Sequence, residues 1–195
     1  MDYKIQEVAQ RIKGLREILD ISKEEMAKVT GVSQELYDQC EAGLHDFSFT
    51  FLYKCAERFG VDIIEIVTGD KPKLTFYNIV RKGQGLPINR RAGFSYQHLA
   101  HLFQGKLAEP FLVTAPYQEE EQNKPIELSY HDGQEFDYII SGSLKVQMEN
   151  HTEILHAGDS VYYDSSHGHG MIATGGETCV FLAVILKKQN EAEEE

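Results

Sequence analysis

The chain has 195 residues, 42% of them apolar and 26% charged. That is enough apolar material for one large or two small compact domains, and too much for a disordered chain. Nineteen basic against 31 acidic side chains leave a formal charge of −12, which excludes nucleic-acid binding by bulk charge alone; any such contact needs a local arrangement of donors.

No apolar run approaches the roughly 18 residues of a membrane helix, and the start Met1-Asp2-Tyr3-Lys4-Ile5 has no signal-peptide architecture. A cytoplasmic location without a membrane partner is expected. Cys40, Cys55 and Cys179 are odd in number and show no CxxC spacing, so small apolar packing is their expected role.

From Val8 to about Val67 the apolar residues recur at threes and fours: Val8, Ile12, Leu15 and Leu19, then Met26 and Val29, then Leu36 and Cys40, then Leu52, Cys55, Ala56 and Phe59. This spacing predicts helices. Ser22 with Glu25 three residues on has the form of a capping box, Gly31 ends that helix, Ser33 caps the next, Gly43 ends it and Gly60 stops a fourth. A fifth short helix is expected around Asp62 to Val67.

After Gly69 the pattern becomes alternation between Gly, Pro, Asn and Asp punctuation, which predicts short strands. The candidates are Thr75 to Val80, Phe94 to Phe103, Phe111 to Ala115, Ile126 to His131, Phe136 to Ile140, Leu144 to Met148, Ser160 to Tyr163 and Thr178 to Leu186. Ser141-Gly142-Ser143 and Gly158-Asp159 are expected to be tight hairpin turns. Many short antiparallel strands argue for a sandwich or barrel that closes its edges.

Residues 71–91 carry six basic side chains and no acidic one. They fit either a solvated linker with an edge strand or a landing place for phosphate or carboxylate. The expected division is a helical domain over 1–69, a basic linker over 70–91, an all-β domain over 92–188 and a solvated acidic tail over 189–195.

The run from Ser22 to Glu35, followed by Glu41-Ala42-Gly43, resembles the Cro and phage-repressor (XRE-type) helix-turn-helix family across residues 6–68. Ala27 and Gly31 match the tight crossing of two helices and Val32 the apolar plug of the turn. The resemblance implies a structural ion pair between Arg16 and Glu41. It also implies a recognition helix whose first turn faces base edges in a major groove about 12 Å wide. Ser33, Gln34, Glu35, Asp38 and Gln39 are the positions so presented, with Lys23 as a backbone contact. Against this, residues 1–70 hold eight basic and fourteen acidic side chains, and residues 34–42 contain no Lys or Arg. A protein-interaction module that does not touch DNA is the competing reading.

In the β half, the stretch Ser129 to Gly142 and the later stretch Gly158 to His169 together resemble the two cupin motifs, over about residues 105–186. The resemblance implies a jelly-roll barrel with His131, Glu135 and His169 converging on a metal. Strand parity agrees, because Ser129 and His131 share a face and an even offset through Gly133 lets Glu135 join them. Two imidazoles and a carboxylate suit Fe, and Zn or Mn can use the same ligands. Most metal-binding cupins have a histidine where this chain has Ser129, so an open-faced triad, a weak adventitious site and a metal-free pocket for an organic effector are the three outcomes. His167 lies two residues from the expected ligand, and His151 and His156 are expected in solvent-facing loops.

The fused layout is also similar to that of a bacterial hydroxypropylphosphonate epoxidase. That likeness brings in Arg90 as an anchor for an anionic substrate, and Tyr96 and His98 as lining of the barrel mouth beside Ser129. Two functions follow from the resemblances. One is a homodimeric transcriptional regulator that binds double-stranded DNA and senses a metal or small, anionic molecule in its cupin domain. The other is a mononuclear non-haem iron oxidase or epoxidase acting on a small anionic substrate. An adaptor protein with both sites vestigial is the residual reading.

Overall fold

A computed structural model describes residues 5–88 and 93–187. Five helices come first: α1 (Ile5–Ile18), α2 (Lys23–Thr30), α3 (Gln34–Glu41), α4 (Phe49–Phe59) and α5 (Ile63–Thr68). The apolar stripe read from the sequence points inward on each. Val8, Ile12, Met26, Cys40, Leu52, Cys55 and Phe59 are all buried, and each fully buried Ile, Leu or Met contributes on the order of 1.5–3 kcal/mol.

Leu19 departs from that stripe. Helix α1 ends at Ile18, Asp20 turns the chain at φ +52°, and Ile21 enters the core while Leu19 stays exposed. Ser22 and Ser33 cap their helices through Glu25 N–H and Leu36 N–H. The Glu25 carboxylate, however, accepts from Arg58 at 2.6 Å, and the reciprocal capping box falls on α5, between Asp62 and Glu65.

The β region forms two antiparallel sheets. The larger has the order β1-β2-β3-β9-β4-β7 and the smaller β6-β5-β8. The strands are β1 (Leu86–Ile88), β2 (Ser95–His98), β3 (Ala108–Ala115), β4 (Gln134–Ser141), β5 (Ser143–Met148), β6 (His151–His156), β7 (Ser160–Asp164), β8 (His169–Thr174) and β9 (Cys179–Leu186). Burial alternates strictly along β3 and β9, so Phe111, Val113, Phe181 and Ala183 fill the interior with Ile139 from β4 of the same sheet and Leu144 and Val146 from β5 of the smaller one.

Several strand expectations need correction. Residues 75–80 form no strand; Phe76, Tyr77 and Ile79 stand exposed, and only Leu74 makes an isolated bridge, to Phe103. Ile126 to His131 contributes only the bridge between Ser129 and His169, and Phe94 to Phe103 shortens to β2. The chain at Gly142 and at Gly158 passes from one sheet to the other, so neither is a hairpin turn. Gly142 has φ +76°, and a Cβ there would sit 2.5 Å from the Thr178 carbonyl oxygen. Only glycine lets the corner pack against the start of β9. His151 and His156 are exposed, but on strand β6.

Two compact units result. The first runs through Ile79 and takes in His101–Gly105; the second holds most of the remainder. Residues 101–105 join the helical unit because Leu74 N–H donates to Leu102 O at 2.9 Å and Gln104 N–H to Leu74 O at 2.7 Å. Among the described residues no helix is long and apolar enough to cross a membrane.

Candidate functional site

The helical unit presents α3 from a braced base. The Arg16 guanidinium donates to both Glu41 carboxylate oxygens, at 2.7 and 2.9 Å, and to Ile21 O at 3.0 Å; Tyr37 O–H donates to the same carboxylate at 3.0 Å. Arg16, Tyr37 and Glu41 are all buried, so the cluster ties α1 to the inner face of α3. Burial pushes the Glu41 carboxyl up, but the hydrogen bonds from Arg16 and Tyr37 outweigh it and hold the group below the usual carboxylate range.

On the opposite face Ser33, Gln34, Glu35 and Gln39 are exposed. Lys23 and Asp38 are less available than the sequence suggests. Lys23 Nζ donates to Asp38 at 2.9 Å and lies 3.7 Å from Glu41, so these two residues neutralise each other. Ser33 Oγ already accepts from Leu36 N–H. What remains for a groove is a pair of amides, one carboxylate and the N-terminal turn of α3.

In the β unit, His131, Glu135 and His169 meet. All three are buried, and their ligand atoms lie within 4.8 Å of one another. The β4 strand turns Glu135, Asp137 and Ile139 inward, and β8 opens on His169. Ser129 exchanges both backbone hydrogen bonds with His169, at 2.8 and 3.1 Å, which carries His131 to the site two residues later. The approach is close: a Cβ on Gly170 would lie 2.5 Å from Glu127 O, and one on Gly168 2.7 Å from the Tyr130 hydroxyl. The Gly168-His169-Gly170 sequence is what lets the 126–131 segment press against the ligand.

The tautomers are set by the backbone. His131 Nδ1–H donates to Asp132 O at 3.2 Å and His169 Nδ1–H to His167 O at 2.9 Å. Each ring therefore turns Nε2 to the centre as an acceptor, which is how metal-ligating histidines are oriented. His131 Nε2 is 3.3 Å from Glu135 Oε2. Bonds of about 2.0–2.2 Å to one ion need these atoms roughly 3–4 Å apart; the His131–Glu135 pair has that spacing and the others lie within 4.8 Å. The donor set thus fits a divalent metal.

Ser129 Oγ lies 3.3 Å from His169 Nε2 and donates to His169 O at 3.4 Å. The His167 side chain is exposed; its part in the site is the backbone carbonyl that orients His169.

Two neighbours were not singled out by the sequence. Tyr163 stands opposite Glu135 across β4 and β7, its ring 5.1 Å from His169, and Asp137 is fully buried with its Oδ2 accepting from the Tyr163 hydroxyl at 3.5 Å. Burial, then the charge on Glu135, push the Asp137 carboxyl well above its usual range, and the same causes push the Tyr163 phenol up. Parity could have found Asp137, two residues from Glu135 on one strand, whereas Tyr163 is placed only by the β4–β7 register.

Tyr96 is half-buried with its ring 6.2 Å from Phe111. His98 is fully buried and its ring nitrogens are spent: Nδ1 accepts from Ala100 N–H at 2.9 Å, and Nε2–H donates to Glu109 at 2.5 Å. His98 is therefore a core residue, and it has no polar atom left for a ligand in the barrel mouth. Glu109 also lies 3.3 Å from Lys187 and 3.7 Å from Lys106. Arg90, with Arg91, lies outside the described residues.

A helix-turn-helix family model matches residues 12–66 and a cupin-domain family model residues 117–185. Among solved structures, the chain is similar to an HTH_3 family transcriptional regulator from Vibrio cholerae, at 19% identity over 95% of this chain and 98% of that one, with a TM-score of 0.67. It is also similar to hydroxypropylphosphonic acid epoxidase from S. wedmorenis, at 17% identity over 95% and 100% of the two chains, TM-score 0.49. The fosfomycin complex of that epoxidase matches at 17%, over the same shares, with a TM-score of 0.47. The first likeness supports the fold; the other two are too distant to bear on chemistry. No curated protein matches the sequence.

Proposed function

We propose that this chain, which joins a helix-turn-helix domain to a cupin domain, is a cytoplasmic DNA-binding transcriptional regulator. It works as a homodimer, and its cupin domain takes a divalent metal or a small anionic effector. The observation that carries the reading is the arrangement around α3. The helix is braced from behind by Arg16, Tyr37 and Glu41, while its Ser33, Gln34 and Gln39 face stays exposed.

Amide side chains pair with adenine in a major groove, and the first turn of a helix supplies N–H donors to phosphate. Neither needs net positive charge. With Lys23 engaged by Asp38, affinity per head is low, and two heads on two half-sites are required for occupancy.

Sensing is assigned to His131, Glu135 and His169, with Ser129, Tyr96 and, outside the described residues, Arg90 as neighbours for an effector. Fe, Zn and Mn all suit two imidazoles and one carboxylate. A bound divalent ion would supply a fixed positive charge able to hold an anionic effector. Coupling of about 1–3 kcal/mol between that site and the dimer geometry changes DNA affinity roughly 5- to 150-fold.

Fluorescence anisotropy against the DNA upstream of its own coding sequence tests the reading. Gln34→Ala and Gln39→Ala should each lower specific affinity by about 1–3 kcal/mol per lost amide pair, leaving non-specific binding unchanged. Equal affinity for that DNA and for scrambled duplex at low salt removes the proposal.

The donor set also favours a second reading, a mononuclear iron oxidase, because two histidines and one carboxylate leave coordination positions open. Iron bound stoichiometrically, with substrate-dependent oxygen uptake lost in Glu135→Gln, would support it. Absence of uptake across small phosphonates and carboxylates would remove it.

A further inference from the structure

Strand β4 sends an acid into a row that is otherwise apolar. Register sets Phe111, Ala183, Asp137 and Val161 side by side across β3, β9, β4 and β7. Phe111 and Ala183 belong to the core, and Asp137 is as deeply buried as they are. Its Oδ1 has no hydrogen-bond partner, and its Oδ2 accepts from the Tyr163 hydroxyl at 3.5 Å. A buried carboxyl with an unmet oxygen weakens a fold, and an aliphatic side chain of similar size would serve the packing better. Packing therefore does not account for Asp137.

Beside it lies the carboxylate of the triad. Glu135 precedes Asp137 by two on the inward face of β4 and is the direct register partner of Tyr163 on β7. The Asp137 carboxyl and the Tyr163 hydroxyl each interact with the Glu135 side chain, and the Tyr163 ring stands 5.1 Å from that of His169. Glu135 Oε2 faces His131 Nε2 at 3.3 Å, so Oε1 is the oxygen left to be held from the β7 side.

We infer that, with His131, Glu135 and His169 read as a metal site, Asp137 and Tyr163 are positioning residues that hold the Glu135 carboxylate in the orientation a divalent ion needs. The terminal torsion of a glutamate is broad, so a carboxylate without outer support swings between one- and two-oxygen coordination. The two imidazoles have that support from backbone carbonyls, Asp132 O and His167 O. For the carboxylate it comes from side chains on β4 and β7. The Tyr163 phenol is the donor of the trio, and Asp137 limits where that donor can point. Partners of this kind set metal affinity without touching the ion.

Mn(II) titration of the full chain, followed by electron paramagnetic resonance, tests the role, with the Co(II) absorption spectrum as a report on coordination geometry. Tyr163→Phe removes one hydroxyl and keeps the ring. It should weaken Mn(II) binding about 10- to 100-fold and change the Co(II) spectrum at saturation. Asp137→Val should do the same, and the double variant should be little worse than either single one, because the two side chains act as a unit. With both polar groups gone, the metal-free double variant should melt no lower than the parent. Lower affinity without lower stability is what a packing role does not produce.

If Asp137→Val fails to fold, Tyr163→Phe carries the test alone. Parent affinity and an unchanged Co(II) spectrum in Tyr163→Phe would overturn the assignment while leaving the triad as a metal site. So would a loss of affinity that only follows a lower melting temperature of the metal-free variants. A parent that binds neither ion, or whose affinity survives His131→Ala with Glu135→Gln, removes the metal site and the positioning role with it.

Discussion

Replacing Arg16 with alanine removes two hydrogen bonds to the Glu41 carboxylate and one to Ile21 O. Glu41 is then left buried with only the Tyr37 hydroxyl and Lys23, at 3.0 and 3.7 Å. Removing one partner of a buried pair costs about 3–5 kcal/mol, because the surviving charge keeps its desolvation penalty. A domain of this size has a total stability of roughly 4–10 kcal/mol, so the loss takes up much of it.

Each kcal/mol moves the midpoint of a 60–100-residue domain by about 4–8 °C, so the helical transition followed at 222 nm should fall by at least about 12 °C. The transition of the β unit should not move. Substituting both partners with apolar residues of similar volume, Arg16→Met with Glu41→Leu, should regain most of the loss, since neither charge is then buried. A fall of under about 3 °C in Arg16→Ala, or a double variant no better than the single one, refutes the reasoning.

Three further outcomes are expected. The Glu41 carboxyl is held below its unfolded value, so its contribution is fully present above about pH 4.5 and is lost as pH falls through the lower folded value. Glu41→Gln should flatten the acid limb of a midpoint-against-pH curve for the helical unit, and an unchanged limb counts against the assignment. Gly142→Ala meets the Thr178 carbonyl at 2.5 Å and Cys179 Cα at 2.8 Å, whereas Gly158→Ala, at φ +96°, meets nothing within 4 Å. The first should lower the stability of the β unit by about 2–3 kcal/mol and the second by about 1; equal losses would show that the contact at the corner is not what matters. His98→Ala leaves Glu109 buried with one hydrogen-bond partner fewer and opens a cavity against Phe111, at a cost of about 2–4 kcal/mol in urea titration. A loss under about 0.5 kcal/mol would mean that water replaces the ring.

The sequence made the helical half legible because its signals are local. Ser22, Ser33, Gly31 and Gly60 act within a turn of themselves, and each falls where expected. Leu19 was misread because periodicity does not register a left-handed residue such as Asp20 ending the helix one position early. Strands suffer more, since pairing is decided by partners far along the chain. Phe76 and Ile79 have good strand residues around them but find no sheet, while β6, nearly all exposed and polar, is held by β5. Gly142 carries a hairpin signal that is identical, locally, to the signal for a change of sheet.

The cluster of His131, Glu135 and His169 was readable through motif spacing and parity. Asp137 was within reach of the same parity, but Tyr163 needed the β4–β7 register, and the sequence does not contain that register explicitly. His98 was placed in the mouth by parity, which gives the face but not the partner. Glu109, eleven residues on, takes up its ring.

The most direct test of the account is DNA affinity measured with and without one equivalent of Mn(II) or Fe(II), in the parent protein and in His131→Ala with Glu135→Gln. The account predicts a metal-dependent change in Kd of about 5- to 150-fold in the parent, and none in the double variant, which should still bind DNA. An affinity that ignores the metal in both, while metal analysis shows the parent loaded, would contradict coupling between the buried triad and α3.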